Sequence, residues 1–244
     1  MEIIFEDDNY IILNKPAGLI VHPDGKAKGE SVTSWLAEKY PALAGVGGNL
    51  EIQNGEDVAR WGVAHRIDRE TSGILVVAKN QPAFDDLQKK FQDRDVSKTY
   101  HAFVYGRVTA DAGTIDLPIG RSKGDFRRWS AGKDTKGTMR EAVTDYKVIH
   151  RTNEVTFVEA KPQTGRTHQI RVHLRALGNP VVCDALYAPR RPSLLGFTRL
   201  ALHARDISFI GVDGMSVFAE APYPADFENA LKTLGIVAKK SSIC

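Results

Sequence analysis

The sequence predicts an α+β protein built on a mixed, mainly antiparallel, bent β-sheet with helices and loops at its periphery. Three observations predict it. Short runs of β-branched and aromatic residues, several of them set around tight turns, recur along the whole chain. Stretches of helical period are fewer and fall between them. No internal repeat and no linker divides the 244 residues, so the chain reads as a single domain, 1–244, with 238–244 as a frayed tail.

Taken in order, residues 3–5 and 10–13 form two short strands around the acidic turn Glu6-Asp7-Asp8-Asn9. Asn14-Lys15-Pro16-Ala17-Gly18 ends the second strand, because Pro16 cannot continue a ladder and Gly18 permits positive φ. Lys15 at this break faces either a phosphate or solvent. Residues 31–40 suit a capped helix, with Ser31 as N-cap and Val32, Trp35 and Leu36 on one face; Pro41 stops it. From 42 to 57 the chain turns to glycine and short polar residues and reads as a mobile loop or insertion. Residues 74–78 form a buried strand. Residues 81–95 form a helix with Phe84, Leu87 and Phe91 on one face, and 99–105 a strand with Tyr100 and His101 on opposite faces.

The basic stretch 121–136 holds Arg121, Lys123, Arg127, Arg128, Lys133 and Lys136 against Asp125 and Asp134, a local charge of 6 − 2 = +4, with Phe126 and Trp129 interleaved. A charge run of this kind is either a solvated loop or a nucleic-acid contact. The interleaved aromatics and Gly124, Gly132 and Gly137 favour a loop that touches RNA by phosphate contact and base stacking. Residues 142–149 and 155–160 pair around Thr152-Asn153. Residues 167–177 read as a helix ended by Gly178 and Pro180. It sets Ile170, Leu174 and Leu177 on one face and His168, Arg171 and Arg175 on the other. A basic stripe on a buried-looking helix needs a partner, either a site carboxylate or an RNA phosphate. Strands at 200–204 and 207–210, a hairpin turn Gly211-Val212-Asp213-Gly214 leading into 215–219, and a short helix at 226–234 complete the chain.

Composition bounds the class. Hydrophobic residues make up 42%, ample for a core, and 33 basic against 30 acidic residues give a net charge of only +3, which does not by itself imply nucleic acid. Cys183 and Cys244 are too few for a disulfide framework and point to a reducing compartment. The start of the chain lacks a basic segment followed by an apolar one, and no apolar run approaches the roughly 20 residues that span a bilayer. A soluble, cytoplasmic protein without a membrane partner is expected.

The chain is organised around His65-Arg66-Ile67-Asp68-Arg69-Glu70-Thr71-Ser72-Gly73, which runs straight into the strand 74–78. The pattern delivers one carboxylate on a polar loop to the mouth of a buried strand. Arg66 and Arg69 on either side bias Asp68 toward its ionised form. Such a group serves as nucleophile, base or metal ligand, or simply as one half of a loop ion pair.

This stretch resembles the H-R-[LI]-D-x-x-T-S-G signature of the RluA family of RNA pseudouridine synthases. Asn14-Lys15-Pro16-Ala17-Gly18-Leu19 resembles the family's N-K-P-x-G opening, and Ser97-Lys98-Thr99-Tyr100 its K-x-Y segment. Thr164-Gly165-Arg166-Thr167-His168-Gln169-Ile170-Arg171-Val172-His173 resembles its T-G-R-x-H-Q-[LI]-R-x-H block. The four motifs occur in family order from Asn14 to His173. The resemblance implies the pseudouridine synthase fold around a central RNA-binding cleft, and an enzyme that breaks the uridine C1′–N1 bond, rotates the base and joins C1′ to C5. It implies that Asp68 is catalytic, that Arg171 pairs with it and keeps it charged, and that Tyr100 stacks on the target base and helps move the C5 proton. It implies that Arg66 fills the space left by the flipped nucleotide. Lys15, Arg121, Arg127, Arg128, Arg166 and His168 join Arg66 as candidate RNA contacts. No metal and no cofactor is expected: His65, His168 and His173 have no cysteine or carboxylate at ligand spacing.

Two departures from the family pattern stand out. Cys183-Asp184-Ala185-Leu186-Tyr187-Ala188 occupies the place of G-D-x-x-Y-G, with both glycines replaced. No S4-type RNA-binding domain is expected before Asn14, and a monomeric catalytic domain is expected to select its structured rRNA or tRNA stem-loop itself. Two other function classes compete: an RNA-binding or RNA-folding module without chemistry, and a nucleosidase that releases free uracil.

Overall fold

A computed structural model describes residues 1–23, 30–51, 55–125, 127–132 and 135–236. The expected tail at 238–244, together with Phe126, Lys133 and Asp134, lies outside the described residues. The elements are β1 (Glu2–Glu6), β2 (Tyr10–Lys15), α1 (Val32–Lys39), β3 (Asn49–Glu51), β4 (Asp57–Ala59), β5 (Ser72–Ala78), α2 (Gln81–Asp93), β6 (Ser97–Tyr105) and β7 (Ala112–Asp116). They continue with β8 (Ile119–Ser122), β9 (Trp129–Ala131), β10 (Thr135–Arg140), β11 (Val143–Arg151), β12 (Val155–Pro162), α3 (Gln169–Ala176), β13 (Leu202–Ile210), β14 (Ser216–Glu220) and α4 (Ala225–Thr233). Among the described residues no helix is long and apolar enough to cross a membrane.

The single domain read from the sequence comprises two compact units, Met1–Ser97 with Asp206–Pro222, and Lys98–Arg205 with Tyr223–Cys244. Each is discontinuous along the chain. Because the chain leaves one for the other within ordinary strands and turns, no linker composition marks the boundary.

In the first unit, β2 pairs antiparallel with β1 and with β5, in a register that sets Leu13 opposite Leu75 and Lys15 opposite Gly73. All of β5 is buried, as its unbroken apolar sequence requires. Helix α1 starts at the expected N-cap Ser31, which forms a capping box with Ser34. The stretch 42–57 is not a free loop. It contains a 3₁₀ turn (Pro41–Leu43) and leads into the hairpin of β3 and β4, with Asn49 opposite Ala59. Gly62 then bridges Val46 O and the amide of Ala78 at φ +76°, where a Cβ would stand 2.0 Å from Ala78 O. Strand β14 pairs with the second half of β13.

In the second unit the antiparallel order is β6–β12–β11–β7, with Tyr100 opposite Ala160 and Phe103 opposite Phe157. Phe103 stacks on Phe157 at 4.5 Å, and Phe197 meets Phe227 of α4 at 5.2 Å, an aromatic core that fixes this layer. The basic stretch is a ribbon rather than a loop: β8 pairs with both β9 and β10, and Arg121 lies opposite Trp129 and Lys136. Strand β10 is almost wholly exposed, so it carries no apolar alternation that a sequence reading could detect. Strand β7 escapes detection for the same reason.

Candidate active site

The first unit positions Asp68. The amide of Thr71 donates to Asp68 O at 3.1 Å, closing a turn just before β5, and the Asp68 side chain is half-buried between the exposed Arg66 and Arg69. His65 anchors the start of the loop: its Nε2 accepts from the amide of Val76 at 2.9 Å, and its ring stacks 4.6 Å from Phe91 of α2. The other anchor corrects a reading of the sequence. Lys15 does not face phosphate; it is 0% exposed, and Nζ donates to Pro16 O (2.8 Å), Leu19 O (2.8 Å) and Arg69 O (3.1 Å). Gly18 N donates to Arg69 O at 2.8 Å while Arg69 Nε donates to Gly18 O at 2.9 Å. The φ of +88° at Gly18 allows this close clasp. The first motif is thus the floor of the second. Nearby, His22 is pushed down to about 4, by burial and then by the charges of Arg66 and Arg60, and its buried Nδ1 has no hydrogen-bond partner.

The second unit positions Tyr100 and Arg171. Tyr100 is half-buried on β6 against the aromatic core. Helix α3 begins at Gln169, whose side chain uses its full capacity: Oε1 accepts from Thr164 Oγ1 (2.6 Å) and Arg166 N (3.0 Å), and Nε2 donates to Val143 O and Thr144 Oγ1 (both 2.9 Å). Gln169 to Leu174 are all buried, so of the expected basic stripe Arg171 has to find a partner inside, while His168 is half-buried and Arg175 is exposed. For Arg171 that partner is Asp184: Nε donates to Oδ2 at 2.8 Å and Nη2 to Oδ1 at 2.9 Å, a bidentate pair. The Arg171 guanidinium also lies 5.0 Å from the centre of the Tyr187 ring. His173, fully buried, donates from Nε2 to Leu117 O (3.0 Å) and so accepts at Nδ1 from Thr144 Oγ1 (2.9 Å); burial lowers its pKa. It is a core residue, and neither a metal ligand nor an RNA contact.

Several predicted RNA contacts gather on this side. Tyr187 Oη meets His168 Nδ1 at 2.9 Å and accepts from the amide of Trp129 at 3.0 Å, and the guanidinium of Arg121 lies 4.3 Å over the Trp129 ring. Arg121, His168 and Arg171 are thereby linked through two aromatic residues. Arg166 stands apart, donating to Glu141 O at 2.9 Å. Arg127 and Arg128 both lean on Asp125, at 2.9 and 3.4 Å, and the Arg127 guanidinium holds the Asp125 carboxyl down to about 2.

Residues 9–176 match the family model described as RNA pseudouridylate synthase. The chain belongs to the RNA pseudouridylate synthase family. An uncharacterized RNA pseudouridine synthase of Synechocystis sp. is 39% identical over 95% of this chain and 68% of its own length. A ribosomal large subunit pseudouridine synthase D of Zymomonas mobilis is 36% identical over 97% of this chain and 73% of its own. Among solved structures, human RNA pseudouridylate synthase domain containing 4 superimposes with a TM-score of 0.74 at 26% identity, covering 98% of this chain and 94% of that one. The protein is an RluA-type RNA pseudouridine synthase, an isomerase with an RNA substrate.

For a pseudouridine synthase of this kind, the two replaced glycines have different consequences. Cys183 stands in the left-handed region at φ +56°, where the family pattern has glycine, whereas Ala188 adopts an ordinary conformation. The turn is kept at the expense of strain at one residue. Asp184 is the site residue that sequence reasoning left without a role. The signal was a basic helix in need of a buried acid, together with an Asp two residues beyond the buried pair Val181 and Val182.

Proposed function

We propose that this pseudouridine synthase isomerises a uridine of large-subunit ribosomal RNA, with Asp68, Tyr100 and Arg171 acting on the flipped nucleotide. The observation that carries the reading is Asp68 itself, a half-buried carboxylate on a turn whose floor is a fully buried, triply bonded lysine. A carboxylate so held stabilises positive character at C1′ as the C1′–N1 bond breaks. The uracil rotates, C1′ joins C5, the C5 proton leaves and N1 gains one, so the product has the atoms of the substrate. Tyr100 stacks on the base and helps move the C5 proton, and Arg171 keeps the carboxylate charged and aimed. Arg66 stacks where the nucleotide was, offsetting part of the few kcal/mol that flipping costs. Arg121, Arg127, Arg128, Arg166 and His168 contact the RNA. The choice of ribosomal RNA over tRNA rests on the relative from Zymomonas mobilis, which is named for the large ribosomal subunit. The enzyme acts as a monomer in the cytoplasm on a structured stem-loop, without metal or cofactor.

The test is incubation of the purified protein with ribosomal RNA and with bulk tRNA, followed by carbodiimide mapping. Wild type is expected to add pseudouridine to large-subunit RNA, and Asp68→Asn to add none. Product in tRNA alone overturns the substrate assignment. Binding with no product above that of Asp68→Asn favours a module without chemistry, and free uracil favours a nucleosidase.

A further inference from the structure

We infer that Asp184 is a positioning residue for this reaction, setting the pose of Arg171 through a buried bidentate pair and, through its turn, the ring on which Arg171 lies. The inference rests on Arg171 acting as proposed above. The Asp184 side chain is 0% exposed and that of Arg171 10%, so the pair is withdrawn from water almost completely. A buried pair of this kind is no better for stability than an apolar pair of equal volume, so what it contributes is direction. That direction is well defined. The two bonds occupy the Nε–Nη2 edge of the guanidinium, which fixes its plane and orients the Nη1 edge toward any further anion.

The same carboxylate does a second task. Its Oδ1 accepts from the amides of Leu186 (3.0 Å) and Tyr187 (2.9 Å), closing the turn that brings the Tyr187 ring to Arg171. Both groups that hold Arg171 therefore come from one short segment, 184–187. Tyr187 Oη then reaches His168 at the head of α3 and the amide of Trp129 in β9. Losing the charge at Asp184 thus loosens Arg171 without removing any group that meets the nucleotide.

The experiment compares Asp184→Asn, Asp184→Glu, Arg171→Lys and the double variant Asp184→Asn with Arg171→Lys. Single-turnover rates at saturating RNA and RNA Kd values are measured, with hydrogen exchange at Arg171 Nε–H in ¹⁵N-arginine-labelled protein as a readout free of activity. Asn keeps the turn bonds but not the charge. It is expected to lower the saturated rate by about 10- to 100-fold with Kd within about twofold. In the Arg171→Lys background the same change is expected to lower it by less than about threefold, since it acts through Arg171. Nε–H is slow to exchange in wild type and in Asp184→Glu, and fast in Asp184→Asn. Equal loss in both backgrounds, or a protected Nε–H in Asp184→Asn, overturns the inference. Failure of both Asp184 variants to fold makes the residue a folding element and overturns it too. If wild type makes no pseudouridine in any RNA, the functional reading fails while the exchange data still decide whether Asp184 sets the pose of Arg171.

Discussion

Lys15→Met probes the clasp beneath the catalytic loop. Methionine fills nearly the same volume, so the change removes a charged donor rather than packing. Of the three carbonyls that Nζ serves, Arg69 O keeps the amide of Gly18, whereas Pro16 O and Leu19 O are left without their donor. Hydrogen bonds from a charged group contribute ~1.5–3 kcal/mol each, net of desolvation. Taking the lower end for two of them gives a destabilisation of about 3 kcal/mol. With an m-value near 3 kcal/mol per molar urea, the unfolding midpoint falls by about 1 M. The fluorescence of Trp35 and Trp61, both in the first unit, reports it. RNA binding supplies a second reading. Removing a cation that neutralises a phosphate would flatten the salt dependence of log K by about 0.7–0.9, whereas replacing a buried lysine leaves it unchanged. Unaltered stability together with a flatter salt dependence would refute the burial argument and return Lys15 to the RNA surface.

Other outcomes follow from the same geometry. Cys183→Gly relieves a left-handed residue and is expected to stabilise the protein by about 0.5–1 kcal/mol, raising Tm by about 2 °C in a thermal melt; no rise refutes the strain. Asp125→Asn releases Arg127 and Arg128, so RNA affinity should rise a few-fold and the salt dependence steepen by about 1. An unchanged salt series would place the ribbon away from the substrate. His22 is held down to about 4 and His173 is also lowered, while unfolded histidine titrates near 6.5. The unfolded chain therefore takes up protons first: the stability is fully present above about pH 7 and is lost as pH falls through 6 toward 4. Urea melts of His22→Leu should fall less steeply over that window, by up to about 1.4 kcal/mol per pH unit, and parallel curves would refute it.

Much of the fold was legible because its strands are apolar on at least one face. Strands β2, β5, β6 and β12 announce themselves, and Ser31 and Gly178 bound their helices as local chemistry demands. The ribbon of β8–β10 was not legible, since short, mostly polar strands held by backbone pairing leave no period in the sequence. Nor was the division into units, which follows long-range pairing alone. In the site, motif and position were readable but partnership was not. Lys15 looked like a surface cation because nothing in its neighbourhood along the chain reveals that Arg69 O, 54 residues on, completes its shell. Asp184 stayed silent because its value lies in a guanidinium 13 residues earlier.

Gln169 carries a consequence for the ageing of the protein. Its carbamoyl nitrogen is enclosed between the Val143 carbonyl and the Thr144 hydroxyl, so hydrolysis of that amide would set a new anion against an acceptor that cannot turn away. A stored sample that deamidates at this position would unseat the beginning of the Arg171 helix while every side chain that meets the uridine remained chemically intact. Shelf-life lost in this way would register as softened structure rather than as a damaged catalytic group.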